Sequence, residues 1–275
     1  MYLSHLLIDV GHNPDRPNWN IARRWLRNLY RVHQRLSMAF MSDERKRMDE
    51  HFLQPYNPSD RQLDQVHVDR KKTGKGFLFR VEPHSCGRVV ILVQSAVEPD
   101  WDYAFHNAGF LLAARPQYKR YDPDFKKDQH LRFRLLANPT KRLRKDSRER
   151  NGELVKEKWI GKRVPVTADQ LLEWLSRRAT DHGFTFDPDN IHVQPGYVYM
   201  DKRRDDQKAR LRSARYDGIL TVNDPEKFRQ TIVSGIGPAK GFGFGLLSVI
   251  PAAGAQHSQS DEHANPRSPR AAEVS

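Results

Sequence analysis

Residues 131–137 have the sequence LRFRLLA, in which the first five positions alternate apolar side chains with arginines. This alternation predicts a half-buried β-strand with a basic outer face. The chain then shows the patterns of a helix, two strands of a long hairpin, a second helix and a last strand, at residues 171–179, 191–200, 216–222, 225–234 and 246–250. This order is that of a ferredoxin-like domain, whose sheet is antiparallel.

The first half of the chain begins with a related order. Strand patterns occupy residues 3–10, 77–81 and 89–97, and the last of these is nearly all aliphatic. Between the first two strands we predict one helix, capped by Asn18 or Asn20. Its buried stripe recurs at steps of four, four, three and four residues and consists of Ile21, Trp25, Leu29, Val32 and Leu36.

These patterns divide the chain into four parts. The N-terminal domain occupies residues 1–98 and carries this helix, and a linker rich in Pro, Asp and Tyr follows at 99–130. The C-terminal domain occupies residues 131–251 and contains the hairpin. Residues 252–275 contain almost no large apolar side chain, so we expect a disordered tail there.

The composition indicates the class of partner. The 275 residues include 47 Lys and Arg against 34 Asp and Glu, which gives a formal net charge of +13. We find no apolar run of membrane-spanning length and no charged secretory leader, so we expect a cytoplasmic protein without a membrane partner. Polyphosphate backbones are the commonest partners of such basic chains, so nucleic acid is the first candidate.

Metal and cofactor chemistry are not expected. The single cysteine, Cys86, excludes an intramolecular disulfide and a multi-thiolate zinc site, and no closely spaced His, Asp or Glu cluster replaces one. Five glycines between residues 235 and 245 follow a helix and precede a strand, the reverse of the order in nucleotide-binding loops. These glycines either form only a tight turn or bring the backbone close to a ligand, with Lys240 supplying charge to a phosphate.

Basic side chains concentrate in three places. The predicted first helix carries an outward-facing column of arginines at steps of three or four residues, namely Arg24, Arg27, Arg31 and Arg35. Residues 131–163 hold twelve Lys and Arg against four acidic residues, and residues 200–216 hold seven against three. A solvated face explains any one such run, but three of them favour phosphate contacts. The basic run at residues 200–216 is predicted at the tip of the hairpin, which is thin enough to enter the deep, narrow major groove of an RNA helix.

Tyr30 and His33 are the candidates for catalysis. A separation of three residues places both side chains on one side of the helix, next to the arginine column. Imidazole titrates near neutral pH, so it can take a proton from a ribose 2′-hydroxyl or give one to a leaving 5′-oxygen, while a phenol can orient the phosphate. Spacing alone favours ordinary packing at a helix border, because the chain contains twelve histidines.

Several motifs, in order along the chain, resemble those of one protein family. They are MYLS at 1–4, LYRVHQRL at 29–36, LVQS at 92–95, EPDW at 98–101, LRFRLLANP at 131–139, GIGPAK at 235–240 and GLLS at 245–248. Together they are similar to the CasE family, the CRISPR repeat-processing endoribonucleases of the type I-E Cascade complex. The resemblance extends from Met1 to about Pro251.

This resemblance implies an α+β fold of tandem ferredoxin-like (RRM-like) domains with antiparallel sheets. It implies binding of the precursor CRISPR RNA stem-loop and metal-independent cleavage at its 3′ base, by attack of a 2′-hydroxyl, leaving a 2′,3′-cyclic phosphate and a 5′-hydroxyl. The product then stays bound within Cascade, whose other subunits are the expected protein partners. By the same resemblance His33 is the general acid/base and Tyr30 its helper, and Gln34 stands where a relative can carry an arginine.

The predicted RNA-binding residues come from the arginine column, the two basic runs at 131–163 and 200–216, and the glycine-rich loop. They are Arg27, Arg31, Arg35, Arg132, Arg134, Lys141, Arg142, Lys162, Arg163, Lys202, Arg203, Arg204, Lys208, Arg210 and Lys240. An alternative is a non-cleaving RNA-binding subunit that only anchors the guide 3′ hairpin and does not need His33. A basic DNA-binding regulator is disfavoured, because we find no helix-turn-helix, zinc-ligand or basic-zipper pattern.

Overall fold

The computed structural model describes residues 1–11, 19–47, 76–145, 147, 154, 156–201 and 208–252. Its strands are β1 (Tyr2–Asp9), β2 (Phe77–His84), β3 (Arg88–Ser95), β4 (Gln117–Arg120), β5 (His130–Ala137), β6 (Thr140–Arg142), β7 (Arg163–Pro165), β8 (Phe184–Phe186), β9 (His192–Asp201), β10 (Lys208–Val222) and β11 (Leu247–Pro251). Its helices are α1 (Trp19–Leu26), α2 (Leu29–Ser37), α3 (Asp43–Arg47), α4 (Trp101–Ala104), α5 (Leu171–Asp181) and α6 (Pro225–Ser234). No helix in these ranges is long and apolar enough to cross a membrane. The predicted tail from residue 253 on and the hairpin tip at 202–207 lie outside the described residues.

The first sheet has the strand order β2-β3-β1-β4, and all of its strand pairs are antiparallel. Leu6 and Ile8 of β1 are fully buried and pack in one core with Val32 and Leu36 of α2. With α4 as the second helix, this is the strand order of a ferredoxin-like domain.

Part of the predicted linker belongs to this first domain. β4 pairs antiparallel with β1, and Trp101 and Tyr103 of α4 are buried in the N-terminal core. The linker predicted at 99–130 is therefore wrong as far as Arg120, and we propose a domain boundary between Arg120 and β5. All four side chains of β4 are exposed, so no hydrophobic alternation marks this strand in the sequence.

The second sheet has the order β11-β5-β10-β8, and β9 also pairs with the long β10. Leu175 of α5 and Phe228 of α6 pack with Leu135 and Tyr216 of this sheet in a second core. α6 begins after Asp224, whose side chain accepts from the Lys227 N–H and caps the helix. The two sheets confirm the predicted α+β class with tandem ferredoxin-like domains and antiparallel sheets.

The predicted single helix near the N-terminus is wrong, because the structure divides it in two. α1 and α2 are separated by Arg27 and Asn28, and Asn28 has an extended backbone. The Asn28 side chain accepts a hydrogen bond from the backbone N–H of Tyr30 at 3.2 Å, which caps α2. α2 therefore begins at a fixed residue, with Tyr30 in its first turn and His33 in its middle.

Arg35 is fully buried, although the sequence places it in an outward-facing column. Its Nη1 donates to Ala104 O at 3.0 Å and to Asn107 Oδ1 at 2.6 Å. The segment around α4 covers this side of α2, and helix periodicity alone does not reveal that cover. The predicted RNA contact of Arg35 is therefore wrong, and this guanidinium instead ties α2 to the chain around α4.

A buried arginine on β2 joins the two domains. Arg80 is 3% exposed. Its guanidinium donates to three oxygens of the C-terminal domain, at 3.1 Å, 2.9 Å and 2.9 Å, on Arg134 O, Leu246 O and Ser248 Oγ. Burial lowers the pKa of Arg80, and the Glu82 carboxylate opposes this effect through its charge and a hydrogen bond at 2.5 Å. The domain interface thus contains one cation that satisfies acceptors on both sides.

Arg134 belongs to the same network. Its Nη1 pairs with Glu82 Oε2 at 2.9 Å and its Nε with Asp217 Oδ1 at 2.5 Å. The hydrogen bond to Asp217 is the main reason that the pKa of Arg134 is raised. Glu82 and Asp217 thus hold the Arg134 side chain at the domain interface, and its RNA contact stays a prediction.

Two further contacts fix the start of the glycine-rich loop on the first domain. Gln94 Nε2 of β3 donates to Ile232 O of α6 at 2.5 Å. Gly235 follows α6 with a φ of +70°, and a Cβ on it would lie 2.7 Å from Leu78 Cδ1 of β2. Only glycine combines this backbone angle with this close approach. The loop therefore lies directly on the N-terminal sheet.

We predict that Arg80→Ala lowers the free energy of unfolding by about 3–5 kcal/mol, because it leaves Glu82 and two backbone carbonyls without their buried partner. Chemical denaturation measures the change. The control is Arg115→Ala, since the Arg115–Asp102 pair is 82% and 72% exposed, and such pairs contribute about 0–1 kcal/mol. Equal losses in the two variants would contradict the assignment of Arg80 to the domain interface.

Candidate active site

α2, β2 and the glycine-rich loop surround His33. The imidazole stacks on Phe77 with ring centroids 4.9 Å apart and an interplanar angle of 18°, and its centroid lies 6.1 Å from that of Phe79. Phe77 and Phe79 are alternate residues of β2, so both present their rings to α2. A Cβ on Gly241 would lie 3.7 Å from His33 Cε1 and 3.8 Å from Nε2. The loop backbone therefore passes along the imidazole. Because Gly241 has no side chain, it covers none of the ring at this point.

The same loop also contacts Tyr30. Residues 240–242 form a single 3₁₀ turn, and the Phe242 ring lies 6.3 Å from the Tyr30 ring. Gly243 follows the turn with a φ of +77°, and a Cβ on it would lie 3.3 Å from Phe79. The structure thus brings together Tyr30, His33 and the turn that carries Lys240, which the sequence analysis predicted separately.

The surroundings of His33 favour the neutral imidazole. Its Nδ1 is buried and has no hydrogen-bond partner among the residues that the structure describes. Burial lowers the pKa of His33, because the charged ring loses hydration that no nearby acceptor replaces. At neutral pH this ring can therefore accept a proton, and once protonated it is a stronger acid than an exposed histidine.

His182 provides a contrast within the same molecule. Its pKa is also lowered, first by burial and further by the charges of Arg178 and Lys240, which outweigh that of Asp181. However, its Nδ1 lies 2.8 Å from Thr231 Oγ1, so this ring joins α5 to α6. Of these two half-buried rings, only His33 has a fully buried nitrogen without a hydrogen-bond partner within the described part of the chain.

Lys240 lies half-buried in the 3₁₀ turn, and burial lowers the pKa of its ammonium group. No group of three or more His, Cys, Asp or Glu side chains in the described ranges is arranged to hold a metal ion. The imidazole and the phenol of this centre lie beside the 3₁₀ turn whose backbone includes Lys240.

A basic groove of about 500 Å³ lies beside α5 in the C-terminal domain. Its wall includes two ion-paired arginines, since Arg177 pairs with Glu173 and Arg178 lies 3.8 Å from Asp181. Its other cations form no ion pair among the described residues, and they are Lys141, Arg142, Arg144 and Arg163. Three of these are predicted RNA-binding residues, and they converge here from the β6–β7 hairpin. The groove can therefore accept a polyanion.

The remaining predicted RNA-binding residues are spread over the surface. Lys162 lies next to the groove, with its ammonium 4.4 Å from the Trp159 ring centroid. Arg27 and Arg132 are exposed and Arg31 is half-buried. Arg210 is exposed on the β9–β10 ribbon, with its guanidinium 4.2 Å from the Tyr197 ring centroid. Only the backbone of Lys208 is described, at the start of β10, and the residues outside the described ranges are Lys202, Arg203 and Arg204.

Sequence reasoning missed the groups that surround the imidazole. Phe77 and Phe79 show strand alternation, but nothing in their spacing connects them with His33. Gly241 is one of five loop glycines, and only the structure identifies it as the one beside the ring. The sequence signal that was available, the close glycine spacing, left a tight turn and a close backbone approach both open and did not indicate His33 as the neighbour.

Known proteins share this architecture. CRISPR-associated endoribonuclease Cse3 of Thermus thermophilus is 29% identical over 262 residues, which cover 91% of this chain and all of the relative. CRISPR system Cascade subunit CasE of Escherichia coli is 28% identical over 236 residues, covering 84% of this chain and 96% of the relative. The structure of Thermus thermophilus Cse3 bound to an RNA that represents a pre-cleavage complex superposes with a TM-score of 0.61 at 28% identity, over 91% of this chain and 98% of that one.

A sequence model of one protein family also matches this chain, in agreement with these relatives and with the motifs in the sequence. It covers both ferredoxin-like domains, including α2 and the glycine-rich loop, and it ends at the last residue of β11. The predicted resemblance to CasE is thereby confirmed. Since the model described as "CRISPR associated protein" matches residues 1–251, the chain belongs to that family.

Proposed function

We propose that this chain is an endoribonuclease that cleaves precursor CRISPR RNA at the 3′ base of the repeat stem-loop and remains bound to the product as a Cascade subunit. The names of its relatives, an endoribonuclease and a Cascade subunit, support this substrate and this assembly. The observation that carries the proposal is the His33 imidazole, which is held between Phe77 and the backbone of Gly241 and whose buried Nδ1 has no partner among the described residues.

In the proposed reaction His33 takes the proton of the 2′-hydroxyl next to the scissile phosphate. The 2′-oxygen then attacks the phosphorus, the bond from phosphorus to the 5′-oxygen breaks, and the protonated ring returns the proton to that leaving oxygen. The products are a 2′,3′-cyclic phosphate and a 5′-hydroxyl. The lowered pKa keeps the ring neutral before the attack and makes the imidazolium a stronger acid than an exposed one after it.

Tyr30 and Lys240 act on the phosphate in this proposal. The Tyr30 phenol lies one helical turn before His33 and is exposed enough to donate a hydrogen bond to a phosphate oxygen. Lys240 supplies positive charge from the adjacent turn, where partial burial strengthens its interaction with an anion. The chemistry thus uses side chains alone, and no metal ion takes part.

The RNA is held mainly by the second domain. The groove cations Lys141, Arg142 and Arg163 neutralise phosphates of the stem, and the β9–β10 ribbon extends toward its major groove. Such contacts give affinity without much sequence information. Cleavage at one bond therefore depends on how the bound RNA positions the lower end of its stem at α2.

We predict that His33→Ala lowers the single-turnover cleavage rate by about 10²–10⁴-fold, because a positioned acid/base group contributes that much, while most of the RNA affinity remains. Gel assays of cleavage and binding measure the two effects. The control is His84→Ala, since His84 is exposed and lies on β2 roughly 23 Å along the strand from Phe77. Unchanged cleavage in the His33 variant would favour the non-cleaving RNA-binding subunit.

The attacking group has its own test. A repeat RNA with a 2′-deoxyribose at the scissile position is expected to bind normally and to stay intact, because the nucleophile is missing. The natural RNA is expected to be cut at the same rate in EDTA and to yield a cyclic phosphate end. Cleavage of the deoxy substrate, or loss of activity in the chelator, would exclude this reaction.

The pH dependence follows from the lowered pKa of His33. The neutral ring is the form that accepts the proton, so activity falls only when the pH drops through this pKa. We therefore predict that the acidic limb of the cleavage rate has its midpoint below 6.5, the ordinary histidine value. The rate is measured at protein concentrations below Kd, where it reports on the free protein. A midpoint above 6.5 would contradict the proposed environment of the ring.

A further inference from the structure

One face of the β9–β10 ribbon presents two tyrosines and two arginines to solvent. In the register of this ribbon Tyr197 pairs with Arg212 and Tyr199 pairs with Arg210, and directly paired residues share a face. Tyr197 is 44% exposed and Tyr199 is 62% exposed. Two large aromatic side chains thus reach solvent at alternate positions of one strand.

The opposite face of the ribbon is anchored on the first domain. Val198, between the two tyrosines, packs against the N-terminal core, and strand alternation directs its neighbours to the other side. The ribbon is therefore held in place near α2, and its tyrosine face is free of that contact. The exposure of the rings follows from a fixed strand, not from a loop.

The arginines are ordered against the rings. The Arg210 guanidinium lies 4.2 Å from the Tyr197 ring centroid, and that of Arg212 lies 5.9 Å from it. Arg212 also donates to Val166 O at 2.7 Å and contacts Tyr197 Oη at 3.5 Å. Neither arginine forms an ion pair with a carboxylate in the described part of the chain. A guanidinium stacked on a ring has its second face available to another planar group.

This patch continues into the basic groove. Val166, which accepts the bond from Arg212, is itself part of the groove wall, together with Lys141, Arg142 and Arg163. The tyrosine face and the groove are thus joined through the Arg212–Val166 hydrogen bond. Flat aromatic faces beside unpaired cations match a nucleotide, which combines a planar base with a phosphate.

We propose that Tyr199 and the Tyr197–Arg210 pair form a stacking site for an unpaired base of the bound RNA, with Arg212 and the groove cations on its phosphates. This inference rests on the proposed function, because it requires that the chain binds RNA. A base inside a stem already stacks on both sides, so the site accepts a nucleotide that flanks the stem or bulges from it. It contributes to the choice of RNA and to its placement, apart from the chemistry at His33.

The test compares two RNAs on a double variant. One RNA is the bare repeat stem-loop, and the other carries its single-stranded flank with 2-aminopurine, whose fluorescence is quenched by stacking. In the Tyr197→Leu, Tyr199→Leu variant we expect loss of the quench and an affinity for the flanked RNA lower by on the order of 10-fold, as base–aromatic stacking predicts. Affinity for the bare stem-loop should be unchanged. The matched Tyr197→Phe, Tyr199→Phe variant keeps the rings and should keep the quench.

The salt dependence distinguishes stacking from charge. The leucine variant removes no cation, so the slope of log Kd against log salt should equal that of the natural protein. Equal losses for the two RNAs, an unchanged quench or a smaller slope would each overturn the stacking site. Normal RNA binding with impaired joining to the other Cascade subunits would show a protein-contact surface and also overturn it. If the natural protein binds neither RNA, the proposed function itself fails.

Discussion

The buried guanidinium of Arg80 is the interaction on which the arrangement of the two domains depends. It lies on β2 of the first sheet and donates to three oxygens of the second domain, among them the carbonyl of Leu246 directly after the glycine-rich loop. A buried cation requires such partners, because an unmatched charge in this position destabilises the fold by several kcal/mol. Arg80 therefore stabilises the observed orientation of the domains, in which the loop lies across α2.

The proposed chemistry depends on that orientation. α2 belongs to the first domain and the turn at residues 240–242 to the second, so neither domain alone forms the surroundings of His33. Phe77 dehydrates one side of the imidazole and Gly241 brings the loop backbone along it. Groups of both domains thus bury the imidazole, and this burial lowers the pKa of His33.

Much of the fold follows from the sequence, because hydrophobic periodicity reports on each element separately. The strand at 131–137, α5 and the capped α6 all form where their patterns predict. The errors concern contacts between elements. Arg35 falls in the spacing of a surface column but is covered by the chain around α4, and the exposed β4 has no apolar alternation to mark it. The apolar spacing of the predicted first helix continues past Asn28. The helix itself does not, because the Asn28 side chain accepts a hydrogen bond from the Tyr30 N–H and caps a second helix there.

The candidate site was only partly predictable for the same reason. The spacing of Tyr30 and His33 places them together on a helix but by itself favours ordinary packing, and the family resemblance supplied the proposed role. No sequence pattern indicates the interface role of Arg80, because it lies between apolar residues of β2 and both faces of this strand are covered. Tyr197 and Arg212 are 15 positions apart, and only the strand register joins them.

The most direct test of this account is an NMR titration of the His33 Cε1 proton in the free protein, with the His33→Ala spectrum to assign the resonance. The account predicts a pKa below 6.5 in the natural protein and a return toward 6.5 in a folded Arg80→Ala variant, because the domains no longer hold the loop against the ring. A pKa of His33 at or above 6.5, or one that does not respond to the loss of Arg80, would contradict it.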